Sequence, residues 1–248
     1  MKLEKRVRDF FSRRGFTCDL CGAEIFDYPQ HRLCADCAEK LSRSGEKVCE
    51  KCGRKAVTDG VCSDCKSNLP KFTRGFSPFV YEGKTAAMIN RMKNGNPRLA
   101  LYLGEEMAEY FAKKHFKNEP QSEEFLLVPV PMTKSKITER GYNQTERLAE
   151  SVCERLCALG YSVRIEKDVL QKRKETAPQK QMTYHERLEN VSGAYHVHKR
   201  KECQDKTIVL IDDVMTTGAT ASECAERLLG AGAKDVYFLV SAALIERK

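Results

Sequence analysis

The chain contains no tryptophan, and only 8% of its residues are aromatic. Surfaces that bind single-stranded nucleic acid interleave stacking rings with a basic groove, so this composition gives such a surface little support. Nowhere do about 18 apolar residues run together, and no membrane-spanning helix is expected. The opening stretch MKLEKRVRDFFSRRGFTCDLCGAEI alternates charged and apolar side chains and lacks the apolar centre of a secretory signal. A soluble, cytoplasmic protein is expected. Two nucleotide-binding signatures are missing as well, since neither a Walker A loop nor a GxGxxG turn occurs.

What the chain does hold is cysteine. Twelve are present, and in a reducing compartment they are not expected to form a disulfide framework. Eight fall into four CxxC pairs, Cys18/Cys21, Cys34/Cys37, Cys49/Cys52 and Cys62/Cys65, separated by 12, 11 and 9 residues. Each pair sets two thiolates on one knuckle, and two knuckles close a tetrahedral site of four sulfurs. Two structural Zn2+ sites are expected, with sequential pairing favoured over crossed pairing. Between Thr17 and Leu69 only about ten large apolar side chains occur, too few to offset chain entropy by burial. Metal must then hold this segment, at about 10–16 kcal/mol per structural zinc. The formal charge is +8. Eight thiolates and two zinc ions bring that to about +4, a weak sign of phosphate-rich partners. Cys153, Cys157, Cys203 and Cys224 have no CxxC partner and read as buried small hydrophobes.

Composition changes near Leu69-Pro70, so residues 1–70 are expected as a zinc-binding module and 71–248 as a larger domain. Residues 85–92 and 97–116 have helical periodicity, the second placing Leu99, Leu103, Met107, Tyr110 and Phe111 on one face. Residues 125–130 (FLLVPV) read as a buried strand and 143–159 as a helix stopped by Gly160. A short strand follows at 163–165. The basic, proline-containing stretch 170–189 has no sustained period and reads as a long mobile loop. His196 and His198 alternate on a further strand. Strands at 207–211 and 236–242 then flank a helix at 219–229. This alternation implies an α/β fold, a mostly parallel sheet flanked by helices with ligands at the carboxyl ends of its strands.

Residues 207–220, TIVLIDDVMTTGAT, carry the sharpest chemistry. An apolar strand delivers Asp212 and Asp213 to the sheet edge, and a short Thr/Gly loop runs directly into a helix. Amides at such a helix start, with the positive end of its dipole, form a nest for a phosphate. Thr216, Thr217 and Thr220 add hydroxyl donors, and Gly218 permits close backbone approach. Two carboxylates would repel a bare anion. They suit sugar hydroxyls and, indirectly, a Mg2+ on the same ligand. The plainer alternative is a strand-end acid pair beside a capping threonine.

This segment resembles the 5-phosphoribosyl 1-pyrophosphate (PRPP) loop of type I phosphoribosyltransferases. The resemblance implies that Asp212 and Asp213 contact the ribose hydroxyls, and that Met215, Thr216, Thr217, Gly218, Ala219 and Thr220 hold the 5′-phosphate. It also implies a pyrophosphate-holding loop over residues 132–136, with Lys134 and Lys136, and a flexible closing loop over 172–181, with Arg173 taking part in catalysis. A solvated linker is the alternative for the second loop. Arg140, Asn143 and Gln144 in RGYNQ either face the same anion, as Arg140 is expected to do, or cap the following helix.

Three further stretches, FVYEGKTAAMINRMKNGN, VPVPMTKSKITERGYNQTERLAE and RKETAPQKQMTYHERLENVSGAY, resemble the ComF (competence protein F) family over almost the whole chain. That likeness implies a type I phosphoribosyltransferase-like fold behind a double zinc ribbon and a part in DNA uptake and natural transformation. PRPP with Mg2+, single-stranded DNA and other competence proteins are the partners it implies. A phosphoribosyl transfer enzyme and a non-catalytic PRPP sensor or single-strand binder both remain open, since no general base is apparent and the acceptor is not legible.

Overall fold

The structure is a computed structural model that describes residues 17–26, 32–57, 59–117, 123–173 and 190–245. Compactness divides the chain between Leu41 and Ser42, well upstream of the composition change at Leu69-Pro70. In the first unit an antiparallel bridge joins Thr17 to Glu24, the Cys18 N–H donates to the Ala23 carbonyl at 2.7 Å, and one helical turn, α1 (Ala35–Glu39), follows Cys34. Among the unit's described residues the large aliphatic side chains that are buried are Leu20, Ile25, Leu33 and Leu41.

The second unit begins with the other two CxxC pairs and a helical turn, α2 (Ser63–Ser67). Along the chain come β1 (Arg74–Phe76), β2 (Phe79–Val80), α3 (Gly83–Lys93), α4 (Leu99–Phe111), β3 (Phe125–Pro129), α5 (Lys134–Arg140), α6 (Gln144–Ala158), β4 (Val163–Ile165), β5 (Leu170–Lys172), β6 (Tyr195–Val197), β7 (Thr207–Met215), α7 (Ala219–Leu229) and β8 (Asp235–Ala243). The main sheet has the order β1-β8-β7-β3-β4, with β2 also pairing β8. Every one of these pairings is parallel, as the strand–helix alternation requires. β5 and β6 form a separate antiparallel pair.

Strand side chains alternate between the two faces, and because both faces are covered the strands read as unbroken apolar runs. On one face Leu126, Val128, Ile208, Leu210, Phe238 and Val240 share a core with Ala221, Cys224 and Leu228 of α7 and with Cys49, Cys52, Cys62 and Cys65. The opposite face lies under α4 and α6, whose backbones approach so closely that a Cβ on Gly104 would stand 2.4 Å from the Ser151 Cβ. Phe111 meets Phe125 and Tyr237 edge-on at this face, at 6.4 Å between centroids in each case.

The second cysteine pair group is thus part of the sheet's core. Its first knuckle lies directly on β1. The Gly75 N–H donates to the Lys51 carbonyl at 2.8 Å, and a Cβ on Gly53, whose φ is +73°, would stand 2.2 Å from the Gly75 carbonyl oxygen. Gly53→Ala is therefore expected to cost about 2–4 kcal/mol, the sum of a left-handed backbone penalty and an overpacking penalty. Urea denaturation of the variant beside wild type measures it.

Several elements differ from their sequence expectation. β7 continues to Met215 instead of stopping at Ile211, because β8 keeps pairing with it through Val214↔Ala242 and Met215↔Ala243. The helix expected over 97–116 is α4 followed by a π-helical turn, Ala112–Phe116. This turn seats His115 and Phe116 against Phe125, with centroids at 5.6 and 5.0 Å. Part of the expected loop at 170–189 is ordered as β5, since Leu170 is buried and pairs with Val197. Residues 174–189 of that expected loop lie outside the described residues. Of the four cysteines outside the CxxC pairs, all expected to be buried, Cys203 and Cys224 are, whereas Cys153 is only partly buried and Cys157 is exposed.

Candidate functional site

β7 carries two acids to the carboxyl end of the sheet. Asp213 is 6% exposed, and both of its oxygens are engaged. Lys93 Nζ, from the last turn of α3, lies 2.8 Å from Oδ1, and Gln144 Nε2, from the first turn of α6, donates to Oδ2 at 2.9 Å. A hydrogen bond from the Tyr142 hydroxyl to the Met92 carbonyl ties those two helix ends together. Asp212 is more accessible, and its Oδ1 accepts from the Asp213 N–H at 2.8 Å. Gln144 Oε1 is buried and, among the described residues, meets no hydrogen-bond partner. Buried acceptors are nearly always satisfied, so this one is available to a ligand hydroxyl or a water.

Beyond the acids the chain turns through Thr216, Thr217 and Gly218, the last in the left-handed region at φ +82°. Thr217 Oγ1 accepts from the Ala219 N–H at 3.4 Å, and α7 starts there. The first N–H groups of a helix have no acceptor within it, and they carry the positive end of its dipole. Met215 and Ala219 are buried, and the Met215 carbonyl is held in the sheet, accepting from the Leu244 N–H at 3.0 Å. The Lys172 ammonium lies over the ring of the buried Tyr195, 5.5 Å from its centroid.

Although part of its surface is exposed, Asp212 is enclosed by protein on most sides, and this desolvation, followed by the neighbouring charge of Asp213, pushes its carboxyl up from 3.8 to about 7. A carboxyl whose folded value exceeds its unfolded one stabilises the fold while protonated, and this contribution is lost as pH rises from about 4 to about 7. Above that window the carboxylate is a net cost to the ligand-free protein. Asp212→Asn, which keeps the neutral shape, is expected to gain about 1–3 kcal/mol at pH 8 and almost nothing at pH 4. Urea titrations at the two pH values test both the size and the sign.

The structure brings some expected site residues together and leaves others apart. Asn143 is a helix cap, its Oδ1 accepting from the Thr145 N–H at 3.2 Å, whereas its neighbour Gln144 reaches the acid. The stretch 132–136, expected as a loop, turns into α5 at Lys134 with Thr133 as its N-cap. Lys134 is exposed and Arg140 partly so, and among the described residues neither contacts the acids or residues 215–220. The backbone N–H of Arg173 donates to the Ala194 carbonyl at 2.9 Å, and its side chain is exposed. Sequence reasoning missed Lys93 and Tyr195 as site residues, and placed Lys172 only at the start of the expected closing loop. These residues lie on other elements, and only the tertiary fold brings them to β7.

The eight cysteines form two groups, Cys18/Cys21/Cys34/Cys37 and Cys49/Cys52/Cys62/Cys65, each with its four sulfurs within 4.8 Å of one another. Pairing is sequential. The Sγ–Sγ distances of 3.6 Å for Cys21/Cys34 and 3.8 Å for Cys52/Cys62 match the edge of about 3.8 Å of a tetrahedron with Zn–S bonds near 2.3 Å. Backbone N–H groups of Cys52 and Cys62 point at Cys49 Sγ, at 3.4 and 3.3 Å. Without a cation such a set cannot ionise together. Hydrogen bonds from the Cys52 and Cys65 thiols hold Cys49 far below the thiol range, while Cys49 pushes Cys52 up to about 12. The donor set fits a closed structural zinc, which would supply cross-linking and no open coordination position.

Comparison with known proteins agrees with this anatomy. A family model described as "Double zinc ribbon domain" matches residues 10–66, and one described as "Phosphoribosyl transferase domain" matches residues 143–248. The chain is 30% identical to competence protein ComFC of Streptococcus pneumoniae, over 82% of this chain and 84% of that protein. It is 29% identical to competence protein ComFC of Bacillus subtilis, over 82% and 80%. Against the DNA utilization protein YhgH of Escherichia coli K12 the identity is 24%, over 84% and 89%. A double zinc ribbon, a phosphoribosyltransferase domain and relatives of this coverage make the chain a member of the ComF family of competence proteins.

Proposed function

We propose that this protein binds PRPP with Mg2+ at the carboxyl end of β7. The observation that carries the reading is the continuity of one strand, loop and helix. Within nine residues it supplies two acids suited to a vicinal diol and a left-handed turn whose amides suit a phosphate. A bare anion would be repelled by Asp212 and Asp213, while a sugar phosphate uses both halves. Asp213, held by Lys93 and Gln144, would fix the ribose, and the orphaned Gln144 Oε1 would take a hydroxyl donor. Met215 to Thr220 would hold the 5′-phosphate, chiefly through backbone N–H groups.

Mg2+, when bound with PRPP, would supply charge neutralisation on the pyrophosphate. Lys134, Arg140 and Arg173 would add positive charge around the pyrophosphate; in a transfer it leaves with the electron pair of the C1–O bond while an acceptor nucleophile donates a pair to C1 and forms the new bond. A part in DNA uptake belongs to the same reading, supported by relatives named competence protein and DNA utilization protein, and so does a cytoplasmic location, whose reducing conditions suit two four-cysteine metal groups. Thermal melting with and without PRPP and Mg2+ tests the binding. Saturating ligand is expected to raise Tm, and Thr217→Ala to diminish the rise. Pyrophosphate release across candidate acceptors separates a transferase from a sensor. An unchanged Tm at millimolar PRPP would defeat the reading.

A further inference from the structure

Arg54 joins the second cysteine group to the phosphate loop. It lies two residues after Cys52 and is 2% exposed. Desolvating a guanidinium is costly unless it is paired; here both terminal nitrogens are paired, while the buried Nε meets no partner among the described residues. Its Nη1 donates to Asp64 Oδ2 at 2.6 Å, and Asp64 lies between Cys62 and Cys65. Its Nη2 donates to the Thr216 carbonyl at 3.2 Å, across 162 residues of sequence. The backbone of Arg54 is held as well, since its carbonyl accepts from the Cys49 N–H at 2.9 Å. One planar fork thus spans from a metal knuckle to the loop that precedes α7.

The consequence follows from peptide geometry. In a planar trans peptide the carbonyl and the next N–H point in opposite directions. Drawing the Thr216 carbonyl toward Arg54 aims the Thr217 N–H away from the ribbon, toward the ligand side of the loop. We propose that Arg54 is a positioning residue: with metal in the second four-cysteine group, it presets the loop amides for the phosphate of a sugar phosphate ligand. This deepens the PRPP reading above and rests on it. On this view the second ribbon belongs to the ligand site, and losing the Arg54 fork with the metal still in place would loosen the phosphate grip while leaving every contact with the sugar untouched.

The full-length protein carrying Arg54→Gln, beside wild type, tests this with three measurements: zinc per chain, amide hydrogen exchange without ligand, and calorimetric affinity for PRPP with Mg2+ and for ribose 5-phosphate. Expected are retained zinc, faster exchange confined to residues 216–220 with β3 and α6 unchanged, and an equal loss for both ligands. Losing one charge-assisted hydrogen bond corresponds to about 10- to 100-fold. Arg54→Lys, which keeps the charge beside Asp64 but lacks the fork, is expected to act in the same direction. Unchanged loop exchange and affinity with zinc retained would overturn the proposal. So would zinc loss in both variants, which would make Arg54 part of the ribbon alone. Should wild type bind neither ligand, the PRPP reading fails, and loop exchange still decides the role of Arg54.

Discussion

Asp213→Ala is expected to abolish the PRPP-dependent rise in Tm. A ligand at about 100 times its Kd stabilises a protein by roughly 2.7 kcal/mol, several degrees for a domain of this size. The substitution removes the acid that Lys93 and Gln144 hold from two sides, and with it the anchor for the ribose. It also leaves Lys93, only 19% exposed, without its counter-charge. Breaking such a pair on one side costs about 3 kcal/mol, so the ligand-free variant is expected to melt below wild type too. Asp213→Asn separates these effects, because its amide oxygen retains one acceptor while the charge is lost. Calorimetric titration of both variants is the measurement, with affinity expected to fall at least about 100-fold in Asp213→Ala. Full affinity in that variant would remove the acid from the site.

Unequal consequences are expected from losing zinc at the two cysteine groups. Cys37→Ser and Cys65→Ser each remove one ligand from a closed four-sulfur set, so metal content is expected to fall from two ions per chain to one in either variant. Cys65, however, is buried in the core that also holds Phe72, Leu210 and Met215, inside the unit that starts at Ser42. Structural zinc is worth about 10–16 kcal/mol in small ribbons, as much as the whole stability of an ordinary domain. Cys65→Ser is accordingly expected to collapse the cooperative transition of the sheet unit or leave the protein insoluble. Cys37→Ser is expected to spare that transition. Scanning calorimetry with metal analysis distinguishes the two. A sheet transition unmoved by Cys65→Ser would mean that the second ribbon contributes nothing to the sheet's stability.

Much was legible from one-dimensional pattern. Residues 219–229 form α7 with the bounds expected from the run between Gly218 and Gly230, and residues 163–165 form β4 as expected. The CxxC spacing sufficed for two sequential four-sulfur groups, because a knuckle is a local structure. The antiparallel pair β5–β6 was only half legible. Three-residue strands such as Leu170–Lys172 carry too few positions for a period to register, and partners decide them. Lys93 and Gln144 illustrate the other limit. Each ends or begins a helix, where a cationic or polar residue is ordinary, and nothing local marks it as a neighbour of Asp213.

By itself, then, the sequence determined the alternation of strands and helices, the two metal groups and the strand–loop–helix bearing Asp212 to Thr220, since each depends on residues close along the chain. Tertiary structure alone decided that the second ribbon is built into the sheet's core and that Arg54 reaches Thr216. It also decided that Lys93 and Gln144 share Asp213 between them. Contacts across tens or hundreds of residues are set by which faces bury together, and no periodicity within one segment encodes them.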